Sequence, residues 1–218
     1  MPKKTKKTTR SAARSLYSVH PSVAYGQAII QNLPEKTGRS VEEWIRLVKR
    51  SAPPDEKGRR DWLRKEHGLG GTTASLIAER SAGKGAAGTE ADAYLKAAAG
   101  YVEAMYATSK AALRPIHDAL IELARSLGGD VKVCPSKTIV PLYRNHVFAE
   151  IKPTSRTRID LGLALKGTKK KPIRRLIPTG GLEKGDRITH RFAITRVDEI
   201  DGRVEAWLRL AYEHDGDR

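Results

Sequence analysis

The sequence contains a single cysteine and no long apolar run. Because Cys134 has no second cysteine to pair with among the 218 residues, a disulfide within one chain is excluded and a reducing compartment, the cytoplasm, is expected. No segment approaches the roughly 18 apolar residues that a membrane-spanning helix needs, so we expect no transmembrane segment and no membrane partner. The charged N-terminus is not followed by an apolar stretch, so we expect no secretory signal.

The sequence also lacks the motifs of familiar enzymes and metalloproteins. Its six histidines stand far apart from one another and from Cys134, so we predict no metal site. There is no phosphate-binding loop of the G-x-x-x-x-G-K-[ST] form and no G-x-S-x-G nucleophile turn. The sequence therefore gives no firm indication of catalysis and none of a cofactor.

Acidic residues are missing from two segments that are rich in Lys and Arg. The chain has 41 Lys and Arg residues against 25 Asp and Glu, which gives a formal net charge of +16. Six of these charges come from residues 1–20 and six from residues 166–175, so the rest of the chain is close to balanced. Clustered cations are typical of nucleic-acid binding, because each neutralised phosphate releases counterions. A solubility device and a surface for anionic lipid are the alternatives.

We predict that both cationic segments contact nucleic acid. Residues 1–20 lack hydrophobic periodicity and are predicted to form a disordered basic arm. Residues 166–175 belong to a long connection between two predicted strands, and such connections are often functional or disordered. The predicted contacts are Lys3, Lys4, Lys6, Lys7, Arg10 and Arg14 in the arm, and Lys166, Lys169, Lys170, Lys171, Arg174 and Arg175 in the connection.

Hydrophobic periodicity divides the remainder into two modules. Residues 21–82 predict about four helices, the first ending before Pro34, and Ser40 with Glu43 predicts a capping box at the start of the second. Residues 83–88 are small and glycine-rich and are predicted to be a linker. Residues 89–218 predict two long helices, then strands where the apolar period falls to about 2, and a final helix. The predicted strands are 131–134, 138–143, 147–152, 157–165 and 188–196.

The most specific local pattern is the glycine hairpin between the third and fourth predicted helices. Its spacing resembles the helix-hairpin-helix motif, in which glycines let the backbone approach a phosphate and the N–H groups of the next helix point at it. The alternative is that these glycines only end one helix and begin another. The residues concerned are Lys65, Gly68, Gly70, Gly71 and Thr72.

The predicted sheet suggests two further sites. One face is expected to be open, and arginines beside an aromatic ring on such a face can hold phosphates and stack bases. The residues expected to share it are Phe148, Glu150, Lys152, Arg158, Asp160 and Arg191, with Arg156 at the adjoining turn. The alternative is that helices of the same domain cover this face, and the acidic residues among the cations weaken the patch. The second site is a pair, Glu150 and Lys152, with Asp130 upstream. This resembles the PD-(D/E)xK nucleases, in which carboxylates hold a divalent metal and the lysine supports the attacking water.

Two blocks of the sequence resemble known families. Residues 33–80 contain Thr-Gly-Arg-Ser, Glu-Glu-Trp and Trp-Leu-Arg-Lys-Glu-His-Gly-Leu-Gly, and resemble domain of unknown function 4287. Residues 112–165 and 190–212 resemble its frequent partner, domain of unknown function 5655. The resemblance implies a bacterial cytosolic protein and supplies no catalytic residues. The first family's hairpin often reads Gly-Leu-Gly-His-Gly, where this chain has Gly71 and Thr72 at the last two positions.

Together these features predict an α+β protein, with a helical module followed by an antiparallel sheet packed with helices. The predicted function is non-enzymatic, largely sequence-nonspecific binding of DNA or RNA, ribosomal RNA included. A metal-dependent nuclease and a module that binds a small molecule or peptide are the alternatives. The sequence leaves the oligomeric state open.

Overall fold

The computed structural model describes residues 16–217. The predicted contacts of the basic arm, from Lys3 to Arg14, lie outside the described residues. The described chain forms a helical module and an α+β domain, as the sequence predicts. The helices of the first module are α1 (Pro21–Thr37), α2 (Val41–Ser51), α3 (Glu56–His67) and α4 (Gly71–Ser81).

The helical module packs around the apolar faces of its four helices. Trp44, Leu63 and Ile77, from three different helices, are buried together in its core. The predicted capping box is confirmed, because the Ser40 side chain accepts from the Glu43 N–H and the Glu43 carboxylate accepts from the Ser40 N–H. These paired hydrogen bonds satisfy backbone donors that a helix start otherwise leaves unmade.

The first helix continues past the proline at which the sequence predicted its end. Pro34 lies inside α1, which ends at Gly38. Gly38 has φ +71°, and its N–H donates to the Pro34 carbonyl oxygen, as in a glycine-ended helix. The proline is one turn from that end, so it removes only one backbone hydrogen bond and leaves the helix continuous.

The segments flanking the helical module are folded against their neighbours. In the predicted linker, the Gly88 carbonyl oxygen lies 2.2 Å from where a Cβ on Gly26 would stand, so α1 approaches this segment closely. Before α1, the Ser18 N–H donates to the Val133 oxygen at 2.8 Å and Tyr17 packs on the core. The predicted boundary of the arm at residue 20 is therefore too late in the chain, because apolar side chains anchor residues 16–20.

The α+β domain is a six-stranded antiparallel sheet with helices on one face. Two helices, α5 and α6, precede the sheet and α7 follows it; the strand order is β1-β2-β3-β4-β6-β5. The bounds are α5 (Ala91–Met105), α6 (Arg114–Ser126), β1 (Lys132–Val133), β2 (Val140–Tyr143), β3 (Val147–Pro153), β4 (Ile159–Leu163), β5 (Ile177–Pro178), β6 (His190–Ile194) and α7 (Gly202–Gly216). The short edge strand β5 lies inside the connection that the sequence predicted to lack structure.

Alternation of side chains along β3 and β4 decides which face of the sheet is buried. Ile151 pairs with Leu161, and both are buried in the core with side chains of α6 and α7. Their neighbours along each strand point to the opposite face. The predicted place of Phe148 on that open face is wrong: Leu142 pairs with Ala149 while Tyr143 pairs with Val147, so Phe148 is an extra residue in a bulge.

The bulge turns the Phe148 ring towards the helices. Its centroid lies 5.6 Å from that of Tyr212 in α7, at an interplanar angle of 75°. The open face therefore loses the aromatic ring that was expected to stack bases there.

A buried carboxylate joins the end of α7 to the turn between β2 and β3. Asp215 is 3% exposed and accepts hydrogen bonds from the N–H groups of Asn145 and His146 at 2.9 and 2.7 Å. The Arg187 guanidinium donates to it at 2.8 Å. Burial alone raises the pKa of Asp215, but the hydrogen bonds from His146, Arg187 and Asn145 outweigh it and hold the pKa below its ordinary value.

Replacing this carboxylate should weaken the domain strongly. Asp215→Asn leaves the partly buried Arg187 without its charged partner, so we expect the free energy of unfolding to fall by about 3 kcal/mol. Urea unfolding followed by circular dichroism measures the change. Glu213→Gln, an exposed change two residues away, should stay within about 0.5 kcal/mol. Equal effects of the two substitutions would contradict the structural role of Asp215.

A second buried titratable group, His117 in α6, is 1% exposed. Its Nδ1 lies 3.1 Å from the Tyr106 hydroxyl. Burial lowers the pKa of His117 to about 4, because the charged imidazolium would lose its hydration. This histidine is therefore neutral in the folded protein at pH 7, and its place in the core gives it a structural role.

The stability of the domain should fall as His117 is forced to take up a proton. Between pH 6.5, the ordinary histidine pKa, and about 4, the unfolded chain binds a proton that the folded chain excludes. Stability is therefore lost as the pH falls through this window, by up to about 3 kcal/mol. His117→Asn removes this contribution, so the stability advantage of the parent over the variant should shrink by that amount between pH 7 and 4. A constant difference in urea unfolding across this range would show that His117 does not titrate in this way.

Candidate functional site

The cationic connection after β4 is anchored to the domain core. Leu176, at its end, is 3% exposed, and Ile173 packs against the same core. The Leu176 N–H donates to the Ile173 oxygen at 2.9 Å, and Ile177 then pairs with Arg191 of β6. The cations before Leu176 are thus carried on a segment held at both ends.

Most of the predicted cations of this connection are exposed. Lys166, Lys169, Lys170, Lys171 and Arg174 all have exposed side chains. The Lys170 ammonium lies 4.9 Å from the ring centroid of Trp207 in α7. Within residues 16–217, Lys169, Lys171 and Arg174 form no ion pair, so their charges are available to an external anion. We call these five residues the lysine loop.

Arg175 differs from the lysine loop because it is bound within the protein. Its guanidinium donates to Asp201 Oδ2 at 2.9 Å and to the Glu199 carbonyl oxygen, and lies 5.6 Å from the Phe192 ring centroid. Asp201 in turn caps α7 by accepting from the Val204 N–H at 3.0 Å. Arg175 was predicted to contact phosphate, but its contacts indicate that it fixes the loop to the start of α7.

The glycine hairpin lies between α3 and α4. Gly68 ends α3 with φ +64°, and Gly70 begins α4 without a side-chain cap, which leaves the first N–H groups of that helix unpaired by a side chain. A Cβ at Gly68, Gly70 or Gly71 would meet nothing within 4 Å, so the backbone is open to solvent. Lys65 and Thr72 are also exposed. The structure therefore brings all five predicted hairpin residues to one end of the helical module.

The two predicted arginines after β3 have different surroundings. Arg156 is exposed. Arg158 forms an ion pair with Asp160 at 2.9 Å, and Asp160 also accepts from Arg191 at 2.9 Å and from the Thr154 hydroxyl at 2.8 Å. Asp160 thus compensates much of the positive charge at Arg158 and Arg191.

The three residues of the nuclease alternative do not meet. Asp130 accepts from the Tyr212 hydroxyl at 2.7 Å and from Arg144 at 2.9 Å, on the helix-covered side of the sheet. These hydrogen bonds, that from Tyr212 first, lower the pKa of Asp130. Glu150 and Lys152 point to the open face, since Ile151 between them is in the core. Within the described part of the chain, no group of three or more His, Cys, Asp or Glu side chains is arranged to hold a metal ion.

The open face of the sheet forms a groove of about 620 Å³, which we call the sheet groove. One row across its floor consists of Glu150 on β3, Gly162 on β4 and Arg191 on β6, and Gly162 pairs directly with each of the other two. A Cβ on Gly162 would lie 2.7 Å from the Ile188 side chain and 2.9 Å from that of Glu150. The absence of a side chain at Gly162 therefore lets the side chains of Ile188 and Glu150 pack against the backbone of β4.

Burial in the sheet groove raises the pKa of Glu150, and nearby Lys152 opposes this while Asp186 adds to it. The sequence predicted that Glu150, Lys152, Asp160 and Arg191 share one open face, and all four line this groove. It did not indicate the wall that contains Asp186 and Ile188, because these residues belong to the connection before β6. One signal was present: a glycine inside an alternating strand indicates a close approach by another part of the protein.

Family models match both modules. The model described as Domain of unknown function (DUF5655) matches residues 102–215, just over half of the chain. The chain belongs to the DUF5655 family. A second model, Domain of unknown function (DUF4287), matches residues 26–81, so the predicted pair of modules is confirmed. No curated protein and no solved structure matches the chain.

The lysine loop, the sheet groove and Arg175 all lie within the DUF5655 match, and the glycine hairpin lies within the DUF4287 match. No helix of residues 16–217 is long and apolar enough to cross a membrane.

Adjacent arginines in the DUF5655 domain should respond differently to substitution. Arg175→Gln removes the hydrogen bonds to Asp201 and Glu199, so we expect the free energy of unfolding to fall by about 1 kcal/mol. Arg174→Gln removes an equal charge from an exposed side chain and should change the free energy of unfolding by less than about 0.5 kcal/mol. Urea unfolding of both variants tests this, and an equal loss at both positions would contradict the anchoring role of Arg175.

Proposed function

We propose that the protein binds nucleic acid without enzymatic action, mainly through phosphate contacts made by the lysine loop. The observation that carries this proposal is the set of exposed cations, from Lys166 to Arg174, on a segment that core residues hold in place. An anchored cationic segment loses less conformational freedom on binding than a free one, so more of its electrostatic attraction remains as affinity.

The identity of the cations supports contact with phosphates more than reading of bases. Lysine ammonium groups act as point charges without a fixed hydrogen-bond geometry. Phosphate contacts position a protein but carry no sequence information directly. Binding should therefore be largely independent of sequence, with duplex DNA and structured RNA, ribosomal RNA included, as the two kinds of target.

The glycine hairpin supplies a second surface of the same kind. The α4 N–H groups after Gly70 face solvent beside exposed Lys65, and a helix N-terminus attracts anions through its unpaired donors and its dipole. In our proposal the hairpin accepts one backbone phosphate, and Arg156 and the cations of residues 1–15 add further contacts. With its single buried cysteine, the protein would act in the reducing cytoplasm.

A salt titration of binding tests the role of the lysine loop. Lys169, Lys170, Lys171 and Arg174 are changed together to Gln, while Arg175 is kept because it anchors the loop. The slope of log affinity against log salt should become shallower by about 3 to 4 for duplex DNA, since each lost phosphate contact accounts for about 0.9. The measurement is fluorescence anisotropy with a labelled duplex and with a structured RNA, with and without magnesium.

The matched control changes four exposed cations on helices to Gln. These are Lys36, Lys49, Lys96 and Arg125. It alters the net charge by the same amount, so it should leave the salt slope nearly as steep as in the parent. Equal slopes for the two variants would mean that net charge, and no particular loop, attracts the nucleic acid. No binding by the parent at about 50 mM salt, where such contacts are strong, would refute the proposed function. Loss of substrate only with magnesium would favour the nuclease instead.

A further inference from the structure

The sheet groove has a different character from the lysine loop, because it combines unpaired charges of both signs. Glu150 is half-buried, and its carboxylate forms no hydrogen bond or ion pair with any residue of 16–217. Asp186, on the wall of the same groove, has an exposed carboxylate that is likewise unpaired within these residues. A half-buried carboxylate without a partner costs free energy, which a ligand with a positive group would recover.

The sheet groove also offers positive groups, Lys152 on the same face of β3 as Glu150 and Arg191 across the sheet on β6. The Lys152 ammonium is exposed and forms no ion pair within the described chain. One guanidinium nitrogen of Arg191 donates to Asp160 at 2.9 Å. The other N–H donors of the guanidinium can bind a second acceptor. Arg191 and Glu150 stand on either side of Gly162, about 10 Å apart by two strand spacings.

From this arrangement we propose that the sheet groove binds a small zwitterion with a free amine and a free carboxylate, as in an amino acid or a short peptide. The amine lies against Glu150 and Asp186, and the carboxylate lies against Lys152 and Arg191. Apolar side chains of Val147, Pro178 and Ile188 line the same groove. The volume of about 620 Å³ is within the range of small-molecule sites, about 300 to 1,000 Å³.

The charges also argue against a nucleic-acid strand in this groove. A polyanion would place phosphates beside Glu150 and Asp186, where like charges repel it. Among residues 16–217, no aromatic ring lines the groove to offset this repulsion by stacking on bases, since the bulge turns Phe148 into the core. The zwitterion site is therefore independent of the proposed function, and the failure of one would leave the other standing.

Equilibrium dialysis of the full chain tests the site. The protein is dialysed at pH 7.5 against a mixture of the proteinogenic L-amino acids and, separately, against a mixture of their alanyl dipeptides, with sucrose as an inert solute. Mass spectrometry measures which compounds are retained on the protein side. We expect at least one amino acid or dipeptide to be enriched over sucrose, and its N-acetyl and carboxamide derivatives to be retained at least about tenfold more weakly, since each loses a charge-assisted contact.

Substitutions then locate the binding. Glu150→Gln should weaken retention of the same compound at least about tenfold, while Glu122→Gln, an exposed change on α6, should leave it unchanged. Because the derivatives act on the unmodified protein, the test does not depend on the folding of Glu150→Gln. The proposal is overturned if no compound is enriched over sucrose, if the blocked derivatives bind as well as the parent compound, or if a folded Glu150→Gln protein retains it fully. DNA affinity of Glu150→Gln should equal that of the parent, because the lysine loop is intact.

Discussion

The burial of one face of the sheet determines most of the arrangement of the DUF5655 domain. Ile151, Leu161 and their neighbours pack against α6 and α7, and side chains alternate along each strand, so every polar residue between them is directed to the other face. Glu150, Lys152 and Asp160 are brought together for this reason. The sheet groove is therefore a consequence of core packing, and a shift of one residue in the pairing of β3 and β4 would invert both faces at once.

Arginine and lysine have separate uses in this domain. Arg144, Arg158, Arg175, Arg187 and Arg191 each contact a carboxylate of the described chain. The planar guanidinium can serve several acceptors in fixed directions, which suits it to joining a loop to a helix, as Arg175 does with Asp201. Lys169 and Lys171 have no carboxylate partner among residues 16–217. The count of 41 Lys and Arg residues therefore overstates the cations available to an external anion, because these arginines are already paired with carboxylates.

The sequence predicted those parts of the fold that depend on short-range patterns. These parts are the Ser40–Glu43 capping box, the glycine ends of the helices and the alternation in β4. Each of them involves residues only a few positions apart in the sequence. The position of the bulge at Phe148 and the edge strand β5 depend on pairing with other strands, so the local pattern did not predict where they lie. The role of Arg175 was missed for the same reason, since its partner is 26 residues further along the chain.

The connection between β4 and β6 contributes to both surfaces that we propose for the domain. Residues 166–174 form the lysine loop, and residues 178–188 form a wall of the sheet groove. Leu176 and Arg175 stand between these halves, the first buried in the core and the second bound to Asp201. Because a buried side chain and an ion pair fix the chain at this point, changes in the exposed lysines need not move Ile188 or Asp186. The two surfaces for which we propose different ligands, phosphates and a zwitterion, can therefore lie on the same connection without either determining the geometry of the other.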